Sequence, residues 1–427
     1  MKEKFLHFVW KFQLLNGFEL KTTDGKLLKI LDRGKHNESD SGPDFSFAKI
    51  QIDNQIWAGN LEIHVNSSDW DLHQHSSDPA YSNVILHVVF ENDKEISFLK
   101  NRQIPVLELK NYIPEQVLEN YNQLVESGKN FIPCEKSIQF IQNETLNFWL
   151  ERIVIERLER KTEELETEFL QTNKNWEALL FRKLAYAFGL KINSVAFQVW
   201  AVSFDFKTLQ KIQNQPDLVY ALFFGQAGFL NFDSNDAYVI ELQKDYQFLQ
   251  NKFKLDSVNS SVFKFFRLRP VSFPTVRMMQ LATLYANYQN LFKFLMSTNS
   301  IEKIYKVFEG LDYPGFWENH FTFQKESKQK SVKKISKTLI ERIVINVIVP
   351  LKFIYAKSIG QETSDEVLSL LNSVPAESNS VLDKFQKLGI EPKNALESQA
   401  LLELKKHFCD EKKCLNCAIG LKILKND

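Results

Sequence analysis

The stretch FSFAKIQIDNQIWAGNLEIHV, residues 45–65, decides the fold class of the N-terminal part of this chain. Apolar and polar residues alternate on both sides of its central DNQ, as they do in a β-strand, where successive side chains point to opposite faces. Asn54 tolerates the left-handed backbone that a tight turn needs. The pattern predicts a β-hairpin, and shorter runs between about residues 26 and 112 predict further strands: LLKIL, VILHVVF, ISFL and IPVLEL.

Helical periodicity replaces this alternation from about residue 140 onward. The clearest helices are predicted at residues 149–170, 176–190 and 276–296, and Pro350 is expected to end or kink another at 333–355. We therefore predict an α+β fold with two domains. Residues 1–130 form a small β-rich N-terminal domain with a candidate metal site, and residues 131–427 form a large, mostly α-helical domain with a C-terminal cysteine cluster.

Composition restricts the classes of partner. The chain has 427 residues, with 53 Lys and Arg against 53 Asp and Glu, so no overall field attracts nucleic acid or an anionic membrane. No run approaches 18 consecutive apolar residues, and the N-terminus lacks a signal-peptide pattern. Four cysteines are too few for a disulfide scaffold. We expect a cytoplasmic protein without a membrane partner, and the sequence leaves its oligomeric state open.

Histidines and carboxylates are concentrated in the predicted β-rich domain. Five of the eight histidines lie between residues 36 and 87: His36, His64, His73, His75 and His87. The carboxylates among them are Asp44, Glu62, Asp69, Asp71 and Asp78. This segment is the candidate active site of the chain.

The register of the hairpin decides which of these side chains meet. A three-residue turn pairs Ile52 with Ile56 and places Asp44 opposite His64, so that Asp44, Glu62 and His64 converge on one face. A slip of one residue would move Asp44 to the other face. Two carboxylates that meet repel each other unless a cation lies between them, and Mg²⁺ or Mn²⁺ suits oxygen ligands. We therefore predict a catalytic set in which Asp44 and Glu62 bind the metal and His64 is a ligand or a general base.

The other histidines of the segment leave alternatives open. His73 and His75 lie in a polar loop, where they are either additional metal ligands or part of a solvated turn. His87 lies within an apolar strand and is more typical of a core histidine whose hydrogen bond is satisfied.

The cysteines form a second candidate metal site. Cys409, Cys414 and Cys417 are close enough in sequence to bind one ion or cluster, and Cys134 supplies a fourth ligand. Closing the loop from Cys134 to Cys409, which are 275 positions apart, costs about 5 kcal/mol in chain entropy. Binding of a structural zinc contributes roughly 10–16 kcal/mol and outweighs that cost. The spacing fits zinc or an iron–sulfur cluster, and the alternative is four free thiols.

Three arginines near a predicted helix start are candidates for phosphate binding: Arg267, Arg269 and Arg277. Helix N-termini and guanidinium forks both bind phosphate. The alternative is that these arginines pair with carboxylates of a neighbouring helix.

The N-terminal motifs resemble the core of the PD-(D/E)XK nucleases. Asp44 follows Pro43, and Glu62-x-His64 lies on the next predicted strand, with His64 where that core has a lysine. In some nucleases of that class, one upstream and three downstream cysteines bind an iron–sulfur cluster that joins distant parts of the chain. The cysteine layout here is similar. The resemblance implies metal-dependent cleavage of nucleic acid.

The chain as a whole resembles the bacterial "domain of unknown function 2851" family. The resemblance spans nearly the whole sequence and brings no established activity. It rests on Gly34-x-x-Asn37, Gly42-Pro43-Asp44-Phe45, Glu62-Ile63-His64, Asp69-Trp70, His73-x-His75, Asp78-Pro79-x-Tyr81, Ile132-Pro133-Cys134, Trp176, Gly189, Asn193, Arg269-Pro270, Phe273-Pro274-x-x-Arg277 and Ile419-Gly420.

Three functional hypotheses follow. The first is a metal-dependent nuclease or phosphodiesterase that hydrolyses DNA or RNA and holds the phosphate backbone with its arginines. The second is a non-catalytic, zinc-containing module that binds nucleic acid or protein. The third is a zinc hydrolase acting on a small molecule, for which the sequence names no substrate.

Overall fold

The computed structural model describes residues 1–17, 19–37, 41–126, 128 and 130–425. The predicted α+β class is confirmed, since 57% of the structure is helical and 11% is strand, with a small N-terminal sheet followed by a mostly helical body. Within the described residues, no helix combines the length and the apolar character needed to cross a membrane.

The chain divides into two compact units, one comprising Met1–Trp149 with Leu404–Asp427 and the other Leu150–Glu403. The predicted border at residue 130 lies inside the first unit. The C-terminal cysteines, predicted for the helical domain, also belong to that unit. The physical reason is packing, because Leu424 of the last helix is buried in the core beneath the N-terminal sheet.

The sheet of the first unit is mixed, in the order β1-β2-β4-β5-β6-β7, and β3 also pairs with β4. The pairs from β1 to β5 are antiparallel, whereas β5–β6 and β6–β7 are parallel. The strands are β1 Leu20–Lys21, β2 Leu27–Asp32, β3 Lys35–His36, β4 Phe45–Ile52, β5 Gln55–Asn66, β6 Val84–Glu91 and β7 Val106–Glu108.

The parallel pair β6–β7 explains one wrong prediction. ISFL, residues 96–99, was expected to be a strand, but a helix spans Ser97–Asn101. Because parallel neighbours cannot be joined by a tight turn, the chain has to return across the sheet between them. The segment makes that return, and Leu99 packs there against Trp70.

The hairpin β4–β5 differs from its predicted register. Ile52 pairs with Gln55, so the turn has two residues and the predicted pairing of Ile52 with Ile56 is wrong. A bulge then shifts the register between Ala48 and Phe45, and Phe47 adopts a left-handed backbone with φ 61°. A bulge adds one residue to one strand and so reverses which face the following side chains take.

The two faces of the sheet bury different side chains. Leu61 and Ile63 of β5 lie in the larger core with Phe5 and Trp10 of the first helix. The other face carries a smaller apolar cluster built around Trp70. The helices of the first unit are Glu3–Phe12, Asp69–Leu72, Ser97–Asn101, Glu115–Val125 and Ala418–Lys425.

The second unit is built from helices around an aromatic core. Phe181 contacts Trp200, Phe223 and Tyr285 at ring-centroid distances of 5.2–5.9 Å. Such edge-on and tilted contacts are favourable for aromatic pairs. Its helices are Trp176–Phe188, Leu190–Val202, Phe206–Ile212, Pro216–Gln226, Ala237–Phe253, Pro274–Asn287, Leu291–Ser297, Ile301–Glu309, Lys337–Ile343, Val349–Ser358, Ser364–Ser373, Ser380–Lys387 and Ala395–Leu404. The border between the two units lies within the helix Asn143–Gln171. The strands β8 His320–Thr322 and β9 Lys325–Glu326 form a separate two-stranded sheet.

Pro350 does not end its helix. The helical backbone runs from Lys337 to Ser358 through a π-helical segment, Val344–Ile348, that directly precedes the proline. A wider π turn accommodates the missing N–H of proline within a continuous helix.

Candidate metal centre

Strand β5 places two ionisable side chains in the interior of the first unit. Glu62 and His64 point to the face opposite Leu61 and Ile63, as the alternation of a strand requires. Only 4% of Glu62 and 1% of His64 is exposed. Burial of ionisable groups costs free energy unless they are paired or bind a metal ion. Glu62 and His64 are therefore expected to have polar partners.

The partners come from the loop that follows β5. His64 Nε2 lies 3.1 Å from His73 Nδ1 and 3.3 Å from His75 Nε2. Glu62 Oε1 lies 3.1 Å from His75 Nε2 and 3.5 Å from His64 Nε2. The three ring nitrogens of His64, His73 and His75 all lie within 4.8 Å of one another, and the Glu62 carboxylate adjoins two of them.

The separations around His64 and Glu62 are close to those between the ligands of one zinc ion. Zinc–nitrogen bonds of 2.0–2.1 Å hold tetrahedral ligand atoms about 3.3 Å apart. Four of the six distances among the four candidate ligand atoms are 3.1–3.5 Å. The same separations are also hydrogen-bond distances, in which the tautomer of each histidine decides which nitrogen donates.

His87 supports the central ligand from behind. Its Nε2 lies 2.9 Å from His64 Nδ1, and its side chain is fully buried. In the tautomer with the proton on His64 Nδ1, that nitrogen donates to His87 Nε2, and His64 Nε2 keeps a free lone pair. Metal-binding histidines usually have such a partner for their second nitrogen. His87 is thus both a core residue and part of the site.

The electrostatics of the pocket favour the neutral form of its three buried histidines, His64, His75 and His87. Burial, reinforced by His87 and His75, lowers the pKa of His64 to about 2. Burial also lowers the pKa of His75, and it lowers that of His87 to about 3. Neutral imidazole is the form that binds a metal ion.

Glu62 shifts in the opposite direction. Burial and the nearby charge of Asp44 raise the pKa of the Glu62 carboxyl to about 9. Without a cation, this carboxyl carries a proton at neutral pH. A bound divalent ion would stabilise the carboxylate instead.

A second cluster of possible ligands adjoins the first and contains Glu3, His7 and Asp44, whose ligand atoms all lie within 4.8 Å of one another. His7 Nε2 is 3.2 Å from Asp44 Oδ2 and 3.7 Å from Glu3 Oε1. On its other side, His7 Nδ1 is 3.4 Å from His36 Nε2. Each member is partly exposed.

Asp44 connects the two clusters. Its Oδ2 accepts a hydrogen bond from the Ile63 N–H at 2.8 Å, and its own N–H donates to Glu62 Oε2 at 3.2 Å. The structure therefore brings Asp44, Glu62 and His64 to one place, with His73 and His75 beside them. Asp44 contacts Glu62, however, and is not paired with His64 as the predicted register required.

Sequence reasoning missed Glu3 and His7. A signal was present, because residues four apart lie on the same face of a helix and the first helix spans Glu3–Phe12. The partner of that face, Asp44, is far away in sequence, so the spacing alone did not identify a site.

Three acidic residues of the segment have structural partners instead. Asp69 Oδ2 accepts the Asn66 N–H at 3.0 Å, Asp71 forms an ion pair with Lys94 at 2.8 Å, and Asp78 Oδ1 accepts the Ala80 N–H at 2.8 Å. Their hydrogen bonds shape the loop that carries the two histidine ligands.

The four cysteines surround a single cavity in the first unit. Cys134 follows the helix Glu115–Val125, whereas Cys409, Cys414 and Cys417 lie in the C-terminal segment. All four are free thiols. Burial and the neighbouring cysteines raise the pKa of Cys134 to about 12, and the same two causes raise the pKa of Cys414 to about 11.

The arginines predicted to bind phosphate have different surroundings. Arg267 and Arg269 are exposed in the second unit. Arg277 is buried there and donates to Gln280 Oε1 at 2.8 Å, and burial lowers its pKa to about 10. Its guanidinium is already used inside the unit, so only Arg267 and Arg269 are available to an external phosphate.

Comparison with known proteins identifies a family but no activity. A family model described as "Protein of unknown function (DUF2851)" matches residues 3–380. The chain matches no curated protein and no solved structure.

Proposed function

The chain belongs to the DUF2851 family of proteins of unknown function, so its activity has to be inferred from the site, and we propose that it is a metal-dependent hydrolase of phosphodiesters in nucleic acid. The observation that carries the proposal is the cluster of His64, His73 and His75, whose ligand atoms lie within 4.8 Å of one another, with the Glu62 carboxylate 3.1 Å from His75 and 3.5 Å from His64. The His7–Asp44 pair beside these ligands supplies groups able to transfer a proton.

The ligand set favours zinc over Mg²⁺. Three imidazoles and one carboxylate suit zinc and related transition metals, whereas Mg²⁺ prefers oxygen ligands. The oxygen-based site that Asp44 and Glu62 predicted for Mg²⁺ or Mn²⁺ is therefore replaced in this proposal by a nitrogen-rich one. When bound, such a metal polarises a phosphoryl oxygen and makes water a better nucleophile.

His7 and Asp44 would handle the proton. Burial lowers the pKa of His7, but the hydrogen bond and charge of Asp44 outweigh burial, so the pKa is raised overall. His7 thus remains protonated to a higher pH than an ordinary histidine, as a general acid for a leaving oxygen requires. Asp44 is fixed by the Ile63 N–H and holds the imidazole in place.

A polymer substrate is favoured because the site reaches the surface. His73 is exposed, and the Glu3 side chain is 39% exposed. A phosphodiester on the outside of a nucleic acid can approach such a site without entering a deep pocket. Arg267 and Arg269, which are exposed in the second unit, are candidate contacts to the nucleic-acid backbone.

The test combines metal analysis with a cleavage assay on single-stranded DNA, duplex DNA and RNA, each with added Zn²⁺ or Mn²⁺. Glu62→Ala should lose the bound metal and cleavage together. Asp44→Asn should retain the metal and lose most of the cleavage, since general acid–base catalysis typically contributes about 10²–10⁴-fold. Asp71→Asn, an acidic residue of the same segment that pairs with Lys94, is the matched control and should change neither.

A second candidate function is a non-catalytic zinc module. Binding of Glu62 together with the three histidines would close the ligand set, and structural zinc sites are closed whereas catalytic ones keep a position open. In that case every variant would lack turnover on all three substrates, and zinc would stay bound in wild type and in Asp44→Asn. Binding of nucleic acid without cleavage, weakening with salt, would then replace the hydrolase proposal.

A further inference from the structure

The cysteine cavity, which is separate from the proposed active site, has a composition that suits a metal cofactor. Its space between atoms is about 340 Å³, part of it continuous with solvent. Apart from the four cysteines its lining is apolar and includes Leu124, Ile132, Ile138 and Phe408. No charged side chain among the described residues is part of the lining, although Lys405 and Lys412 act on Cys409 and Cys414 from outside it. A bound metal cofactor would supply further positive charge.

The spacing of the sulfur atoms distinguishes one ion from a cluster. A single zinc with bonds of 2.3 Å holds its four sulfurs about 3.8 Å apart. Among these four cysteines, all within the described residues, no three sulfurs lie within 4.8 Å of one another. The histidine site of the same chain does meet that limit. The cysteines are thus gathered around one cavity but are too far apart for one tetrahedral ion.

The backbone after Cys417 donates hydrogen bonds to its sulfur. The donors are the N–H groups of Gly420 and Ile419. Cys417 directly precedes the helix Ala418–Lys425, whose N-terminal N–H groups favour negative charge. Hydrogen bonds to sulfur ligands are one of the means by which proteins tune iron–sulfur clusters.

We propose that Cys134, Cys409, Cys414 and Cys417 bind an iron–sulfur cluster rather than a single zinc ion. Four cysteine thiolates are the usual ligands of both the [2Fe–2S] and the [4Fe–4S] cluster, in which the sulfurs are shared among several irons and lie farther apart. The proposal does not depend on the hydrolase function, because it concerns other residues and another cavity.

The cluster fastens the C-terminal segment to the turn that contains Cys134. That segment already packs on the first unit, since Asn120 Nδ2 donates to the Ile423 carbonyl at 2.8 Å and Leu424 is buried in the core. The cofactor adds metal–ligand bonds across the same contact. Its loss should therefore lower the unfolding temperature of the first unit.

The experiment uses the full-length protein, purified without oxygen and, in a parallel sample, reconstituted with ferrous iron and sulfide. We expect about two or four irons per chain with an equal amount of acid-labile sulfide. A visible absorption band that dithionite bleaches should accompany them. One tightly bound zinc without sulfide would overturn the proposal, as would a protein that retains no iron and sulfide after reconstitution.

Variants connect the cofactor to its ligands. Cys414→Ser should lose most of the iron and sulfide, and His64→Ala, which removes a ligand of the other site, should retain both. Retention of the full iron and sulfide content in Cys414→Ser would contradict the assignment. If Cys414→Ser proves insoluble, the metal and sulfide content of the wild-type protein decides the question alone.

Discussion

Replacing His87 with leucine should weaken metal binding although His87 is not itself a ligand. His64 Nδ1 lies 2.9 Å from His87 Nε2 deep in the protein. In the metal-free variant, His64 can move its proton to Nε2, where His73, His75 and Glu62 offer acceptors. Metal binding forces that proton back to Nδ1, where leucine accepts no hydrogen bond. The variant therefore incurs a cost in the bound state that it avoids in the free state.

The size of the effect follows from one buried hydrogen bond. An unsatisfied buried donor costs about 1–3 kcal/mol, which corresponds to a loss of about 5- to 150-fold in affinity. Loss of a supporting partner behind a metal ligand typically reduces affinity by about 10–100-fold, in the same range. Removing a direct ligand such as His64 should cost more than removing His87.

Competition against a chromophoric zinc chelator measures the affinity. Val88→Ala is the matched control, because Val88 is a neighbour on the same strand but is buried in the opposite core. That variant should lower the unfolding temperature and leave zinc affinity within about twofold of wild type. An unchanged affinity in His87→Leu, or an equal loss in Val88→Ala, would refute the reasoning.

Two further predictions concern proton release and close packing. Burial and Asp44 raise the pKa of Glu62 to about 9, so the carboxyl is protonated below that pH. Metal binding should therefore release about one proton near neutral pH, and metal affinity should rise as the pH approaches 9. Calorimetry in buffers of different ionisation enthalpy should detect this proton in wild type and not in Glu62→Gln. In Gly420→Ala, the added Cβ would clash with the Cys414 carbonyl oxygen. The variant should bind less iron, and the first unit should lose about 1–3 kcal/mol of stability, the usual cost of overpacking. Gly315→Ala, which meets no atom within 4 Å, should leave both the metal content and the unfolding temperature unchanged.

The division into a strand-rich and a helical part could be predicted from the sequence, because it depends on local periodicity. Residues 45–65 specify a hairpin by their own pattern, and the structure has β4 and β5 there. The pattern of ISFL was misleading, since an apolar run of four residues fits a strand or a short helix equally well. Only the parallel pairing of β6 with β7 requires a crossing segment there.

Some of the candidate ligands could be predicted from the sequence for the same reason. The pair Glu62 and His64 shares a face by strand alternation, which the sequence specifies directly. The contribution of His73 and His75 depends on a loop held by Asp69 and Asp78, and such side-chain caps have no periodic signature. Glu3 and His7 reach the site through tertiary packing of the first helix, which a single sequence does not encode in any local pattern.

The placement of Asp44 shows how two local features can offset each other. The two-residue turn at Asp53 and Asn54 shifts the register by one from the predicted pairing, and that shift alone would turn Asp44 toward the core face of Ile63. The bulge at Phe47 shifts the register once more and returns Asp44 to the face of Glu62. A phenylalanine with a left-handed backbone costs roughly 1–2 kcal/mol, and at 82% exposure its side chain regains little of that through packing. The strain is therefore offset elsewhere, and the hydrogen bonds that Asp44 makes with Ile63 and Glu62 are gained only because the bulge is present.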